Sequence, residues 1–256
     1  MTDPFDRSFR DRVLAGETLI GMFLDLASPA SAENCAALGY DWLLIDLEHG
    51  MATEADLLGM LHAVEVGGSA PVVRPQSGER LRIGRALDMG AIGIMVPRLD
   101  TADQAREAVT FLRYPPAGMR GMAIRVRGAG LGVVSHPDAH RLNDRIVGIV
   151  QVETPGGLEA APDTAAIDGV DVLFVGPADL THSLGIPGQF DHPDYTAALQ
   201  RVVAACRSNG KAAGILVYDP DVAKRLIDMG FSFVGIGADG AFAADGAKSA
   251  LAAVRG

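Results

Sequence analysis

Eight short apolar runs, separated by segments with helical spacing, are the feature that most constrains the fold of this chain. Strands that are apolar along their whole length are typical of a parallel sheet covered on both faces. Eight strand–helix units in 256 residues predict one (β/α)8 barrel domain spanning residues 1–256, with a doubly wound open sheet as the alternative. The predicted strands are Leu19–Leu24, Trp42–Asp46, Pro71–Arg74, Ile92–Val96, Val147–Val152, Asp171–Val175, Ala212–Val217 and Phe231–Gly237.

Helical spacing is clearest at Thr101–Leu112, Tyr195–Asn209 and Pro220–Met229. The Ala-rich stretch Ala241–Arg255 predicts a last helix that packs on this chain or on a neighbour. The segment Arg113–Asp144, with Pro-Pro, several glycines and five arginines, interrupts the alternation. A loop of that length is uncommon in a compact domain unless it is functional or partly helical.

Composition excludes several classes of protein. With 48% hydrophobic residues the chain can bury a large core, and a formal charge of −10 argues against nucleic acid as a partner. Every apolar run is too short to span a bilayer, and residues 1–12 lack the apolar core of a signal peptide, so we expect a cytoplasmic protein. Cys35 and Cys206 are then expected to be two buried thiols, with a disulfide as the alternative.

Carboxylates follow two neighbouring strands of the predicted barrel. Glu153 comes at the end of strand five, two residues after Gln151, and Asp179 follows strand six. Residues at the carboxyl ends of barrel strands line one end of the barrel, where active sites form. Two carboxylates with open positions suit Mg²⁺ or Mn²⁺. The alternative is a network of ion pairs.

Arg74 and His49 also stand at predicted strand ends. Arg74 either binds a carboxylate substrate through its two-pronged guanidinium or pairs with one of the acids. His49 is a candidate acid/base, because imidazole titrates near neutral pH. Asp88, which precedes strand four, is a candidate partner that orients the imidazole.

Two further sequence patterns are weaker evidence of a binding site. Gly235, Gly237 and Gly240 match the spacing of a dinucleotide fingerprint, but no strand–helix–strand unit follows them, so packing or an anion-accepting turn is favoured. His136 and His140 have i,i+4 spacing, but the intervening Pro137 favours a surface loop over a metal site.

Together the strand-end residues lie in stretches that resemble the HpcH/HpaI aldolase family, of the 4-hydroxy-2-oxoheptanedioate aldolase type. The matching stretches run in family order from the second strand to the seventh. They are Trp42–Gly50, Pro71–Pro75, Leu87–Ala91, Arg113–Gly121, Val150–Thr154, Gly176–Leu180 and Gly210–Leu216.

The resemblance implies a class II pyruvate aldolase. Such an enzyme reversibly cleaves 4-hydroxy-2-oxo acids to pyruvate, or its analogue hydroxypyruvate, and an aldehyde. It uses a divalent metal ion (Mg²⁺, Mn²⁺ or Co²⁺), no organic cofactor and no Schiff-base lysine. The resemblance also implies a homo-oligomer, commonly a hexamer built as a trimer of dimers, whose C-terminal helix swaps between subunits.

The resemblance also implies roles for individual residues. Glu153 and Asp179 match the metal ligands, with Asp46 and Glu48 as acidic neighbours. Arg74 matches the residue that binds the carboxylate of pyruvate and stabilises the enolate oxygen, and His49 matches the acid/base with Asp88 as its dyad partner. The remaining matches are substrate contacts: Gln151, the amides of Ala178 and Asp179, and the apolar side chain of Leu216.

One departure from the family pattern concerns the aldehyde. Arg127 matches a family arginine in a loop expected to face the aldehyde end, but Arg125 is additional. Two alternatives stay open: a carbon–carbon lyase acting on acyl-CoA esters, as in the citramalyl- and malyl-CoA lyase relatives, and a non-catalytic barrel that binds metabolites.

Overall fold

Eight parallel strands close into a barrel in the computed structural model, which describes residues 3–255. Each strand pairs with the next one along the chain, and the last pairs with the first. The predicted (β/α)8 barrel is therefore confirmed, and the open sheet is wrong. The strands are β1 Leu19–Leu24, β2 Trp42–Asp46, β3 Ala70–Arg74, β4 Gly93–Val96, β5 Val147–Val152, β6 Val172–Val175, β7 Ala212–Val217 and β8 Phe233–Ala238.

Helices follow the strands and cover the outside of the barrel. Within residues 3–255 they are α1 Ser8–Leu14, α2 Pro29–Ala36, α3 Glu54–Gly67, α4 Arg80–Met89, α5 Ala102–Thr110, α6 Pro155–Ala165, α7 Pro177–Ser183, α8 Pro193–Ser208, α9 Pro220–Met229 and α10 Asp239–Arg255. The helices that lead into the strands run back along the barrel, so their last turns lie at the amino ends of the strands. We call that end of the barrel the rear, and the carboxyl end the mouth.

Capping explains where the helices begin. Thr101 is the cap of α5, and its hydroxyl accepts a hydrogen bond from the amide of Gln104 at 3.2 Å, so the helix starts one residue later than predicted. Helix α8 starts two residues before the predicted Tyr195, because Pro193 occupies its first turn and His192 caps it. Proline is well suited to a first turn, where its missing N–H has no partner to lose.

Aromatic side chains fill the barrel below the mouth. The Trp42 and Phe233 rings stack with centroids 4.2 Å apart, and Phe174 meets each of them edge-on. Phe23 lies 6.0 Å from Phe174 and completes a layer that we call the aromatic floor. These four residues are almost fully buried, so they close the barrel interior beneath the cavity described below.

The segment Arg113–Asp144 lies at the rear. It joins the end of α5 to the start of β5, and it contains two 3-10 helices, Arg127–Gly132 and Ala139–Arg145. The amide side chain of Asn143 bonds the backbone of Tyr114 at 2.7 and 3.1 Å, which pins the two ends of the segment together. The sequence predicted that this loop faces the aldehyde end of the site. Within one chain it does not, because the mouth lies at the opposite end of the barrel.

Both cysteines are free thiols. Cys206 is buried as expected, but Cys35 is only partly buried, so the expectation of two buried thiols is half right. In the part of the chain that is described, residues 3–255, no helix is long and apolar enough to cross a membrane.

The predicted C-terminal helix is present as α10, and it begins two residues earlier than predicted. Asp239 is its one buried residue. Phe242, Leu251 and Val254 are exposed by 45%, 51% and 87%, so large apolar side chains of this helix are left without cover from the rest of the chain.

Candidate active site

A cavity of about 240 Å³ opens at the mouth of the barrel. Its walls come from residues at or just after the strand ends, as the barrel fold requires. They are Phe23, Asp25, Asp46, His49, Arg74, Gln151, Phe174, Gly176, Pro177, Ala178, Asp179, Leu216, Tyr218 and Ala238. Seven residues predicted from the sequence are therefore brought together here, namely Asp46, His49, Arg74, Gln151, Ala178, Asp179 and Leu216.

Arg74 is held by the acids of the neighbouring strand. Its Nε and Nη2 donate to the two carboxylate oxygens of Asp46 at 2.9 and 2.6 Å. Its third nitrogen, Nη1, reaches Gln151 Oε1 at 3.4 Å, and Nε lies 3.3 Å from Glu48 Oε2. Arg74 therefore pairs with an acid, which is one of the two roles predicted for it. Its Nη1 makes no contact with Asp46 and is the nitrogen most available to a substrate.

The charge of Arg74 keeps Asp46 ionised. Burial alone would raise the pKa of Asp46, but the hydrogen bonds and positive charge of Arg74 outweigh it and leave this pKa below its ordinary value. Asp46 in turn accepts the backbone N–H groups of Glu48 and His49 at 3.0 and 3.3 Å. The carboxylate therefore fixes both the guanidinium and the turn that carries the imidazole.

Glu153 lies at the end of a hydrogen-bonded chain that starts at Arg74. Gln151 donates through Nε2 to Glu153 Oε2 at 3.2 Å, and the backbone N–H of Arg98 donates to Glu153 Oε1 at 2.8 Å. A side chain at Gly176 would place its Cβ 2.9 Å from Glu153 Oε2. Glycine at position 176 therefore leaves room for the carboxylate.

The carboxylates at the mouth repel one another. Burial raises the pKa of Glu153, and the charges of Asp179 and Glu48 raise it further. Burial also raises the pKa of Glu48. A cation between Glu153 and Asp179 would remove this repulsion, so the residues present fit a divalent metal ion. Across residues 3–255, no three His, Cys, Asp or Glu side chains converge as a ready-made metal site, so further ligands would have to be water or substrate.

His49 lies on the rim of the cavity. Its side chain is 66% exposed, and Nε2 lies 3.7 Å from Glu48 Oε2. An exposed imidazole on a backbone turn fixed by Asp46 can meet a substrate from the solvent side.

Asp88 and Arg127 are not at the mouth of this chain. Asp88 is on the last turn of α4, at the rear, where Arg120 Nη2 donates to its carboxylate at 2.9 Å. Arg127 is also at the rear, where it pairs with Glu65 and bonds the carbonyl of Met89. Within one chain, therefore, Asp88 is not a partner of His49, and Arg127 does not reach the cavity.

The weaker sequence patterns are accounted for by packing and exposure. A Cβ at Gly235 would lie 3.2 Å from the Trp42 ring, one at Gly237 would lie 2.4 Å from the Phe242 ring, and one at Gly240 would lie 2.5 Å from Asp25 Oδ1. A Cβ at Gly237 or Gly240 would therefore clash with its neighbour, and one at Gly235 would be tightly packed. His136 and His140 are both exposed in the rear segment, as expected for a surface loop.

Three side chains that line the cavity escaped the sequence analysis. Phe23 and Asp25 line the cavity from the end of β1, and Tyr218 lines it from the end of β7. Asp25 directly follows Leu24 and Tyr218 directly follows Val217, so the strand-end rule, applied to every strand, finds both.

Comparison with known proteins agrees with the geometry. The family model described as HpcH/HpaI aldolase/citrate lyase matches residues 19–245. A 2-keto-3-deoxy-L-rhamnonate aldolase of Klebsiella pneumoniae is 42% identical over 240 residues, covering 93% of this chain and 88% of the relative. A 4-hydroxy-2-oxo-heptane-1,7-dioate aldolase of Salmonella paratyphi C is 40% identical over 251 residues, covering 96% of this chain and 93% of the relative.

Solved structures agree as well. A crystal structure of an HpcH/HpaI aldolase/citrate lyase family protein from Burkholderia cenocepacia superposes with a TM-score of 0.93 at 38% identity, covering 98% of this chain and 100% of that one. The predicted aldolase, a carbon–carbon lyase, is confirmed. The chain therefore belongs to the HpcH/HpaI aldolase/citrate lyase family.

Proposed function

We propose that this aldolase reversibly cleaves 4-hydroxy-2-oxo acids to pyruvate, or its analogue hydroxypyruvate, and an aldehyde. The observation that carries the proposal is the hydrogen-bonded chain from Asp46 through Arg74 and Gln151 to Glu153, which ends beside Asp179. Arg74 in the cavity, with Asp179 and the neighbouring Glu153 as two carboxylates that would bind a metal ion, matches a small 2-oxo acid, which has a carboxylate and a carbonyl oxygen on adjacent carbons.

Glu153 and Asp179 would hold the metal ion, Mg²⁺, Mn²⁺ or Co²⁺, and we propose no organic cofactor. A divalent cation bound there supplies a Lewis acid that polarises the 2-oxo group and acidifies the adjacent carbon. Arg74 would direct Nη1 to the substrate, where a positive charge stabilises the enolate oxygen as it develops. Gln151 and the backbone amides of Ala178 and Asp179 would orient the carboxylate of the 2-oxo acid.

His49 would move the proton. In cleavage it takes the proton of the C4 hydroxyl while the bond between C3 and C4 breaks, and the bonding electrons pass to the pyruvate part as its enolate. The enolate then takes a proton from water at C3 to give pyruvate. In the reverse direction, aldol addition, His49 returns the proton to the new C4 oxygen. Leu216 would pack against the carbons of the aldehyde part.

Asp88 would serve as the partner of His49 only from a second subunit, because it lies at the rear of its own barrel. We propose such a homo-oligomer, a hexamer, in which the exposed apolar side chains of α10 pack on a neighbour. Light scattering after gel filtration tests it, and we expect a mass six times that of the 26.7 kDa chain. A monomer in solution would contradict both the hexamer and a role for Asp88.

The function itself is tested by metal removal. We expect EDTA to abolish cleavage of a 4-hydroxy-2-oxo acid, and Mg²⁺, Mn²⁺ or Co²⁺ to restore it. Borohydride added with pyruvate should trap no covalent adduct. A lysine adduct, or full activity in EDTA, would overturn the metal-dependent mechanism.

A further inference from the structure

The cavity has two chemically different sides. Arg74, Gln151 and Asp179 belong to β3, β5 and to the residues after β6, and we call them the pyruvate side. Asp25, Tyr218 and Ala238 belong to the ends of β1, β7 and β8, which lie across the closed barrel from β5, β3 and β4. If pyruvate occupies the first side, as the proposed function requires, the aldehyde part of the substrate meets the second.

Asp25 is held rigidly on that second side. Its Oδ1 accepts the backbone N–H of Gly240 at 3.0 Å, and its own N–H donates to Asp239 Oδ1 at 2.9 Å. Its carbonyl oxygen accepts the N–H of Met51 at 2.8 Å, next to the turn of His49. A Cβ at Gly240 would come within 2.5 Å of Oδ1, so glycine at that position is what allows the carboxylate to sit there.

The second oxygen of Asp25 is left for a ligand. No N–H or O–H group among residues 3–255 donates to Oδ2, although Asp25 lines the cavity and is only partly buried. Asp239, by contrast, is buried and is satisfied by the N–H groups of Asp25 and Gly240 and by the hydroxyl of Ser31.

The carboxyl groups of Asp25 and Asp239 interact directly, which together with burial raises the pKa of Asp25, and no cation in the described part of the chain compensates the negative charge that the pair carries. Over the described chain, residues 3–255, neither Asp25 nor Asp239 forms an ion pair with a lysine, arginine or histidine. The cation of the cavity, Arg74, is already paired with Asp46 and Glu48. A second carboxylate on the substrate would therefore meet repulsion here, whereas a hydroxyl group could donate to the open oxygen.

We propose that Asp25 is a specificity-determining residue that selects uncharged, hydroxylated aldehydes over aldehydes bearing a carboxylate. The two relatives are named for substrates that differ in this respect, because 2-keto-3-deoxy-L-rhamnonate ends in a hydroxylated chain and 4-hydroxy-2-oxo-heptane-1,7-dioate ends in a second carboxylate. Asp25 places this chain with the hydroxylated class. Tyr218 flanks the same space and offers its hydroxyl as a second polar contact.

The test measures kcat/KM for pyruvate addition to glyceraldehyde and to succinic semialdehyde, with Mn²⁺ present. For the wild type we expect glyceraldehyde to be favoured by at least about tenfold, the scale of a single repulsive or attractive polar contact. Asp25→Asn removes the charge and keeps the size and the acceptor for Gly240. It should shrink the preference by about tenfold, mainly by improving the reaction with succinic semialdehyde.

Two further variants sharpen the result. Tyr218→Phe should weaken the reaction with glyceraldehyde more than that with succinic semialdehyde. Asp221→Asn removes an exposed carboxylate that pairs with Lys224 outside the cavity, so it has the same change in net charge and should leave the preference as in the wild type. A wild type that prefers succinic semialdehyde, or an unchanged preference in Asp25→Asn, would overturn the assignment of Asp25.

Exchange of the pyruvate methyl protons in deuterium oxide distinguishes this failure from failure of the proposed function. If the wild type exchanges these protons and Asp25→Asn leaves the aldehyde preference unchanged, only the proposed role of Asp25 is contradicted, and the proposed function stands. Absence of both exchange and addition in the wild type contradicts the proposed function, and with it the role of Asp25.

Discussion

At the scale of single residues, Arg74 shows how one guanidinium can serve structure and chemistry together. It commits two nitrogens to Asp46 and directs the third toward Gln151. A lysine ammonium is a single point charge and cannot do both. We expect Arg74→Lys to lower kcat/KM for cleavage by roughly 30- to 1,000-fold, which corresponds to about 2–4 kcal/mol of transition-state stabilisation.

The matched control for this prediction is Arg82→Lys. Arg82 pairs with Glu54 on the surface, where an ion pair contributes little, so activity and stability should stay close to those of the wild type. If Arg74→Lys also keeps kcat/KM within a few-fold of the wild type, Arg74 has no role at the enolate oxygen.

His49 permits a division of the reaction into two steps. Its side chain is 66% exposed, so His49→Ala should leave the melting temperature unchanged. We expect cleavage to fall by about two to four orders of magnitude, the usual contribution of a positioned acid/base. Exchange of the pyruvate methyl protons should fall less, because the proposed role of His49 is at the C4 oxygen. Equal losses in the two assays would assign enolisation to His49 as well.

Asp25 should also cost the protein stability at neutral pH. Burial raises the pKa of Asp25, and the adjacent Asp239 raises it further. A carboxyl whose folded pKa exceeds its unfolded value stabilises the fold below the unfolded pKa, and that contribution is lost as pH rises through the folded pKa. The ionised form is thus the unfavourable one. Asp25→Asn should therefore raise the melting temperature at pH 7 relative to the wild type.

The pH dependence provides the check on this last prediction. Near pH 3 Asp25 is protonated in both states, so the advantage of Asp25→Asn over the wild type should largely disappear. An advantage that is the same at pH 3 and pH 7 would mean that packing, and not ionisation, is the cause.

At the scale of elements, strand β1 depends on glycine for its contact with β2. A Cβ at Gly21 would lie 2.0 Å from the Trp42 ring, whereas one at Gly84, in helix α4, would meet no atom within 4 Å. We expect Gly21→Ala to destabilise the fold by about 1–3 kcal/mol or more, because the packed ring cannot move aside. Gly84→Ala should stabilise it by about 0.5–1 kcal/mol, through the helix propensity of alanine.

Urea unfolding of both variants measures these free energies. Opposite signs for the same chemical change are the expected result. Equal effects would show that the aromatic floor can repack around an added methyl group.

The bounds of a strand could be predicted from the sequence where burial on both faces requires apolar residues. The strands of a closed barrel are apolar on both faces, so β2 and β5 begin and end where the apolar runs do. The strand-end rule likewise predicted Arg74, Gln151 and Glu153, because their positions follow from chain order alone. It was not applied to β1, and Asp25 was missed.

Two residues that the resemblance assigned to the site lie away from the mouth of their own chain. Asp88 closes a helix that runs to the rear, and Arg127 lies between helix α5 and strand β5, so topology places both away from the mouth of the same chain. The pairing of Arg74 with Asp46 was left open, since a strand-end arginine has several acids within reach and the sequence does not rank them.

At the scale of the whole molecule, metal binding should appear as stability. A ligand that binds the folded state alone raises the melting temperature as its concentration exceeds its dissociation constant. Relief of the repulsion among Glu153, Asp179 and Glu48 adds to this effect. We expect Mn²⁺ or Mg²⁺ to raise the melting temperature of the EDTA-treated protein, as measured by differential scanning calorimetry.

Glu153→Gln should abolish that rise, since a neutral amide is a poor ligand for a hard cation. Asp221→Asn, which removes a carboxylate outside the cavity, should retain it. A rise that persists in Glu153→Gln would place the metal elsewhere on the protein.

The aromatic floor also has an optical consequence. Trp42 is the single tryptophan of the chain, it is fully buried, and its indole N–H donates to the carbonyl of Leu19 at 3.3 Å. All tryptophan fluorescence therefore originates inside the barrel, from an indole shielded from water. Phe23 lies between this ring and the guanidinium of Arg74, 6.4 Å from Trp42 and 5.4 Å from the Arg74 Cζ. The emission of the unlabelled protein thus reports on the barrel interior immediately beneath the site.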